Sequence, residues 1–278
     1  MSMQADPVVN PNKALWEKGD FTQIAEAMRG SGEALVASLG VTSGLDVLDL
    51  GCGDGTTAVP EAQLGANVLG VDIAENLVAA GNARAGQLGL ENLRFQWGDA
   101  TDLKDLADGS FDLVVSIFGA MFAPRPFDVA KEAVRVTRSG GRIVMGNWIP
   151  NDPTFVAQLL RVSTAYSPPP PEGFVSPMTW GVEEQVVERF GAAGIPAENV
   201  TCERTLFLFE TPKTPSEYLA DFRDYYGPTM NAYAAAAADG REAELHAELE
   251  ALVDGHNTAE GGEGTRIEAA YLRVTVMV

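Results

Sequence analysis

Histidine and cysteine are nearly missing from this chain, which carries two of each among 278 residues. Cys52 and Cys202 cannot make a disulfide framework and their spacing offers no zinc set, so a reducing compartment and no metal are expected. Only His246 and His256 are available for imidazole chemistry. Basic residues are scarce too: 19 Lys and Arg stand against 39 Asp and Glu, a formal net charge of −20. A nucleic acid or an anionic membrane would meet a repulsive field, and neither is expected as a partner. Nowhere do eighteen apolar residues run uninterrupted, so no membrane-spanning helix is expected. The opening MSMQADPVVNPNKALW has no basic segment leading into an apolar run, and a cytoplasmic location is the expectation.

What the chain does have is 46% hydrophobic residues, enough to bury a substantial core. Between Leu45 and Trp148, short apolar runs (DVLDL, NVLGVDI, LRFQWGD, FDLVVSIF, GRIVMGNW) alternate with longer amphipathic stretches. The runs are nearly continuous rather than alternating, as in parallel strands covered on both faces, which predicts an α/β fold. SGG at Ser139 to Gly141 predicts the turn before the fifth strand. Upstream, DFTQIAEAMRGSGEALVASLG predicts one or two helices capped at Asp20 or Thr22. Downstream, NDPTFVAQLLRVSTAY predicts a helix capped by Asp152 with Pro153 first, and SPPPPEG stops it. VTCERTLFLFE and RIEAAYLRVTVMV predict two further strands, separated by a helical block at about 214–258 that breaks at Gly227-Pro228 and near Gly240. The expected organisation is one domain over 1–278: a helical lid at 1–44, a cofactor-binding core at 45–150, and a part at 151–278 that completes the sheet and carries the insertion.

The chemistry concentrates in VLDLGCGDGTTA. Gly51, Gly53 and Gly55 permit positive φ, a tight strand-to-helix turn and close approach of backbone to a ligand. The spacing G-x-G-x-G differs from the G-x-G-x-x-G of dinucleotide sites, and Asp54 sits where a pyrophosphate would lie. Two such charges about 4 Å apart repel by roughly 4 kcal/mol at an effective dielectric near 20, which opposes a nicotinamide cofactor. Asp72, ending the next strand, can accept from the vicinal hydroxyls of a ribose. Asp99 with the N–H of Ala100 follows the third strand and can read an adenine edge. Alone, Asp72 would serve as well as a helix cap and Asp99 as a turn residue; in register they describe an unphosphorylated nucleoside.

The ordered set VLDLGCGDG, GVDIAENLVAAGNARA, FQWGDATDL, FDLVVSIFGAMFA and EAVRVTRSGGRIVMGNW resembles the Rossmann-like, class I S-adenosylmethionine-dependent methyltransferases, especially their ubiquinone/menaquinone methyltransferase-like branch, over roughly residues 10–150. The resemblance implies a seven-stranded, mostly parallel sheet with helices on both faces and an antiparallel last strand. It implies S-adenosyl-L-methionine as cofactor, with Asp49, Gly51, Gly53 and Gly55 at its methionine part, Asp72 on the ribose and Ile73 against the adenine. Asp99 and Ala100 then address the adenine nitrogens, and Ser116 lies near the amino-acid moiety. Cys52 falls in the same set as a small buried loop residue.

Methyl transfer from a sulfonium needs alignment and exclusion of water more than acid–base help, and no metal. The expected acceptor is a small, partly apolar molecule held by Trp16, Phe21, Phe118, Phe122, Trp148, Tyr225 and Tyr226, with Trp180 among the core aromatics. His256, at a helix end beside a glycine-rich loop, is the candidate base, whereas His246 belongs to a solvated helix face. The block from Pro215 to Asn257 is expected to form one wall of the acceptor pocket. The competing reading is a non-catalytic S-adenosylmethionine-binding regulator; a nicotinamide oxidoreductase and a thiolate-rich metalloid methyltransferase fit less well. A homodimer is compatible with all of these.

Overall fold

A computed structural model describes residues 12–278; the first eleven residues of the expected 1–44 lid lie outside the described residues. Three short helices lead in: α1 (Asn12–Glu17), α2 (Phe21–Ala25) and α3 (Arg29–Ser38). Asp20 caps α2, its carboxylate accepting from the N–H of Thr22 at 3.2 Å. Then follow β1 (Asp46–Leu50), α4 (Ala58–Gln63), β2 (Asn67–Asp72), α5 (Glu75–Leu88), β3 (Leu93–Trp97) and β4 (Phe111–Ile117). The chain continues with α6 (Pro126–Val136), β5 (Thr137–Trp148), α7 (Phe155–Tyr166), α8 (Glu183–Ala192) and β6 (Val200–Thr211). Helices α9 (Pro215–Tyr225), α10 (Gly227–Ala238) and α11 (Glu242–His256) precede the final β7 (Thr265–Met277).

The seven strands form one sheet in the order β3-β2-β1-β4-β5-β7-β6. Strands β1 to β5 pair in parallel, and β7 runs antiparallel to both β5 and β6. The chain order reverses between β1 and β4, so the loops after these two strands diverge and leave a crevice at their carboxyl ends, the place where such sheets bind ligands. Strands β1 and β2 are buried at every position except their first, which is why they read as unbroken apolar runs. The edge strand β6 is covered only at Phe207 and Phe209.

Two local expectations shift. Strand β5 begins at Thr137 directly after α6, and SGG is a bulge inside it: pairing jumps from Phe111–Thr137 to Leu113–Arg142, with Gly140 at φ +80°. Helix α7 starts at Phe155 rather than Pro153, because Asp152 accepts from the N–H and hydroxyl of Thr154 and pairs through its other oxygen with Arg204, which holds it outside the helix. The block between β6 and β7 is three helices; α9 opens with a capping box in which Thr214 and Glu217 satisfy each other's backbone N–H. Aromatic edges tie this layer together, Phe155 meeting Phe209, Phe222 and His256.

Candidate active site

A cleft of about 950 Å³, open mouth included, lies over the carboxyl ends of β1, β2 and β4. One end is polar and built largely from backbone. Gly51 takes φ +65°, and a Cβ there would stand 2.6 Å from the Cα of Gly119, so the loops after β1 and β4 touch backbone to backbone. Gly53, at φ +55°, has nothing within 4 Å of where a Cβ would project. The N–H of Gly53 donates to Asp72 Oδ2 at 2.8 Å and that of Ala74 to Oδ1 at 2.9 Å. Each carboxylate oxygen is thereby fixed by one donor and keeps acceptor capacity for a pair of adjacent hydroxyls. Burial raises the Asp72 pKa while these N–H groups pull it back. Asp99 is fixed through one oxygen, its Oδ1 accepting from the N–H and hydroxyl of Thr101. Cys52, Ile73 and Ala100 also line this end, and burial holds the Cys52 thiol protonated.

The other end is aromatic. Trp16 packs edge-on against Phe122 with ring centroids 4.9 Å apart and against Phe21 at 5.8 Å. Phe118, a non-glycine residue at φ +62°, lies flat on Trp148 at 3.6 Å and meets the edge of Phe207 at 5.1 Å. Helix α1 bridges the mouth: Lys13 pairs with Glu75 at 2.5 Å, Glu17 accepts from the N–H of Glu75, and the Asn12 amide donates to the Phe122 carbonyl.

Several expected contacts stand elsewhere. Asp49, Gly55 and Ser116 lie behind the cradle rather than in its wall. Asp49 accepts from Thr57 Oγ1 at 2.5 Å, Gly55 packs on the Phe95 ring, and Ser116 donates to the Leu50 carbonyl while accepting from the N–H of Ala120. Burial, with Asp72 nearby, pushes Asp49 up to about 7. Trp148 sits beneath Phe118, and Tyr226 backs Trp16 and Phe21 at 5.9 and 6.2 Å. Tyr225 is exposed, and His256 rests against Phe155. The insertion therefore supports the aromatic wall from outside, because its own aromatics Tyr218, Phe222 and Tyr226 are buried against one another. Asp54 also differs from expectation. Its charge is taken by an ion pair with Arg29, whose guanidinium also donates to Thr56, so Asp54 does not by itself bar a phosphate. The sequence reading missed Asn12, Gly119 and Phe207. The last had a signal in the alternation of TLFLFE, which turns Phe207 and Phe209 to one face.

A methyltransferase-domain family matches residues 48–145. An uncharacterised protein of Mycobacterium tuberculosis is 34% identical over 245 residues, 87% of this chain and 86% of that one. The nocamycin O-methyltransferase of Saccharothrix syringae is 38% identical over 110 residues, 38% of this chain and 39% of its own. The fold matches the crystal structure of the YcgJ protein from Bacillus subtilis with a TM-score of 0.56 at 19% identity, covering 88% of this chain and 97% of that one. Among the described residues no helix is long and apolar enough to cross a membrane. The cleft at the switch point, the glycine turn against Asp72 and these similarities converge: the chain belongs to the Rossmann-like, class I S-adenosylmethionine-dependent methyltransferases.

Proposed function

We propose that this enzyme methylates a small, partly apolar acceptor held between Trp16, Phe21, Phe118, Phe122 and Phe207. The observation that carries the reading is that a single cleft runs from the Asp72 cradle to these rings. Bound S-adenosylmethionine supplies an electrophilic methyl group on a sulfonium. Asp72 holds the ribose hydroxyls through its two anchored oxygens, and the open side of Gly53 admits the cofactor against the loop backbone. Ile73 and Leu77 pack on the adenine, with Asp99 and Ala100 at its polar edge. Asp49 steadies the loop from below through Thr57 rather than from within the cleft.

At the acceptor end the rings exclude water, and their faces favour a neighbouring cation. Alignment of nucleophile, methyl carbon and leaving group is the main contribution asked of the protein; orienting bound reactants can supply about 7–11 kcal/mol of a barrier. Helix α1 covers the mouth. Its polar ties to Glu75 are exposed and individually weak, which suits a cover that opens for exchange. The test is a screen of apolar phenols, enols and amines for products heavier by one methyl, run with purified enzyme and S-adenosylmethionine. Absence of any methylated product from ring-bearing acceptors, with a polar acceptor turned over instead, would overturn the reading.

A further inference from the structure

Resting on that reading, we infer that the acceptor is an uncharged, ring-bearing nitrogen base, methylated on a neutral nitrogen lone pair. The acidic residues that line the cleft are Asp72, Asp99 and Asp54, the last already paired with Arg29; among the described residues no Lys, Arg, His, Glu or Tyr lines it. Residues 1–11 carry no Lys, Arg or His in their sequence. The cationic side chains beside the lining are committed: Arg29 to Asp54 and Thr56, Arg84 to the Gly55 carbonyl at 3.0 Å, Lys13 to Glu75 and Glu17, Arg125 to Asp128 and Thr101. A carboxylate or phosphate on the acceptor would be stripped of water against phenyl rings with no side-chain cation to meet it.

The same inventory removes the base. Asn12 can hydrogen-bond but cannot take a proton, the Thr57 hydroxyl is spent on Asp49, the Thr56 hydroxyl accepts from Arg29, and burial keeps the Cys52 thiol protonated. Asp72 and Asp99 stand at the cradle end, where the proposed cofactor placement commits them to the ribose hydroxyls and the adenine edge, and Asp54 is paired with Arg29. His256, on the far side of Phe155, does not line the cleft. An alcohol or thiol acceptor would need a group to remove its proton, and its anion would need a partner; neutral nitrogen needs neither. Its lone pair forms the new N–C bond, the electron pair of the breaking C–S bond stays on sulfur, and the positive charge moves to nitrogen. Any proton that nitrogen carries then passes to water. The cation so formed faces the aromatic faces and nearby carboxylates that suit it.

The shape of the far end is fixed independently. Phe118 keeps an uncommon left-handed backbone for a bulky residue, with its ring pinned by Trp148, Phe207 and Tyr271. Phe207 completes that wall from the edge strand β6 and is the specificity-determining residue of this end.

The experiment uses three bicyclic probes of matched size, isoquinoline, 2-naphthol and 2-naphthoate. Each is titrated by calorimetry into enzyme saturated with S-adenosylhomocysteine, then incubated with S-adenosylmethionine and followed by mass spectrometry. Isoquinoline should bind at least about tenfold more tightly than 2-naphthoate and yield N-methylisoquinolinium, faster than any methylation of 2-naphthol. Phe207→Leu should weaken isoquinoline about two- to tenfold and leave S-adenosylhomocysteine within about twofold. Equal or tighter binding of 2-naphthoate, faster methylation of 2-naphthol, or isoquinoline bound without product would each overturn the inference. Binding of S-adenosylhomocysteine with none of the probes bound would overturn it while sparing the cofactor site. No binding of S-adenosylhomocysteine would instead strike at the methyltransferase reading itself.

Discussion

The two ends of the cleft are made in opposite ways. The cradle is assembled from consecutive strand ends within residues 49–100, chiefly by backbone groups and by carboxylates whose oxygens are already fixed by N–H donors. The aromatic end gathers side chains from three separate stretches: the segment from α1 to the start of α2, the loop after β4, and β6. An end built from backbone tolerates little change but is indifferent to the acceptor. An end built from side chains on separate segments can change its occupant without disturbing the cofactor, which is the physical sense in which one fold serves many acceptors.

The largest expected effect tests the backbone half. Gly51→Ala combines a left-handed φ with a Cβ 2.6 Å from Gly119 Cα, and should cost roughly 3 kcal/mol of stability, abolishing cofactor binding at the same time. Gly53→Ala, with open space before it, should cost only about 1–2 kcal/mol yet still obstruct the cofactor. Thermal melts beside cofactor titrations distinguish the two, and equal melting temperatures for both variants would break the distinction. Next in size, Asp72→Ala should weaken S-adenosylhomocysteine by about 10- to 100-fold, since hydrogen bonds to a charged acceptor are worth roughly 1.5–3 kcal/mol; calorimetry reads this directly.

The contrast between the ends also explains what the sequence disclosed. The sheet, the glycine turn and Asp72 were legible because each depends on a few adjacent residues: a strand, a turn, an acid at the next strand end. Trp148 and Tyr226 stand a layer behind the cleft lining, against Phe118 and Trp16, and sequence does not show this because an aromatic side chain reads the same whether it faces a cleft or the ring in front of it. The alternation of TLFLFE turns Phe207 and Phe209 to one face, but which face meets the cleft depends on β6 joining the sheet beyond β7, a pairing of residues some sixty positions apart. The Arg29–Asp54 pair was likewise invisible, as nothing local links α3 to the loop after β1.

A smaller effect concerns acid groups under the cradle. Glu61 is fully buried with neither oxygen hydrogen-bonded to a described residue, and its pKa is raised by burial and by Asp49. Carboxyls with raised folded-state pKa values bind more protons folded than unfolded, so their contribution favours the fold below the ordinary carboxylate range and is lost as pH rises. For Asp49 that loss runs from about pH 4 to about 7. The melting temperature should therefore fall over this range, and Glu61→Gln should flatten the decline; an unchanged slope would show that Glu61 is not the group responsible. The smallest effect belongs to the outer layer. Tyr225→Phe, at an exposed position, should change neither cofactor affinity nor acceptor KM by more than about twofold in steady-state kinetics.

The claim that one cleft has two separable ends is tested most directly by a double-mutant cycle on S-adenosylhomocysteine affinity with Asp72→Ala and Phe122→Ala. The account predicts that Phe122→Ala alone stays within about threefold of the wild type and that the coupling between the two changes is below about 0.5 kcal/mol. A loss in Phe122→Ala comparable to that in Asp72→Ala, or a coupling above about 1 kcal/mol, would show that cradle and aromatic end act as one site and would contradict it.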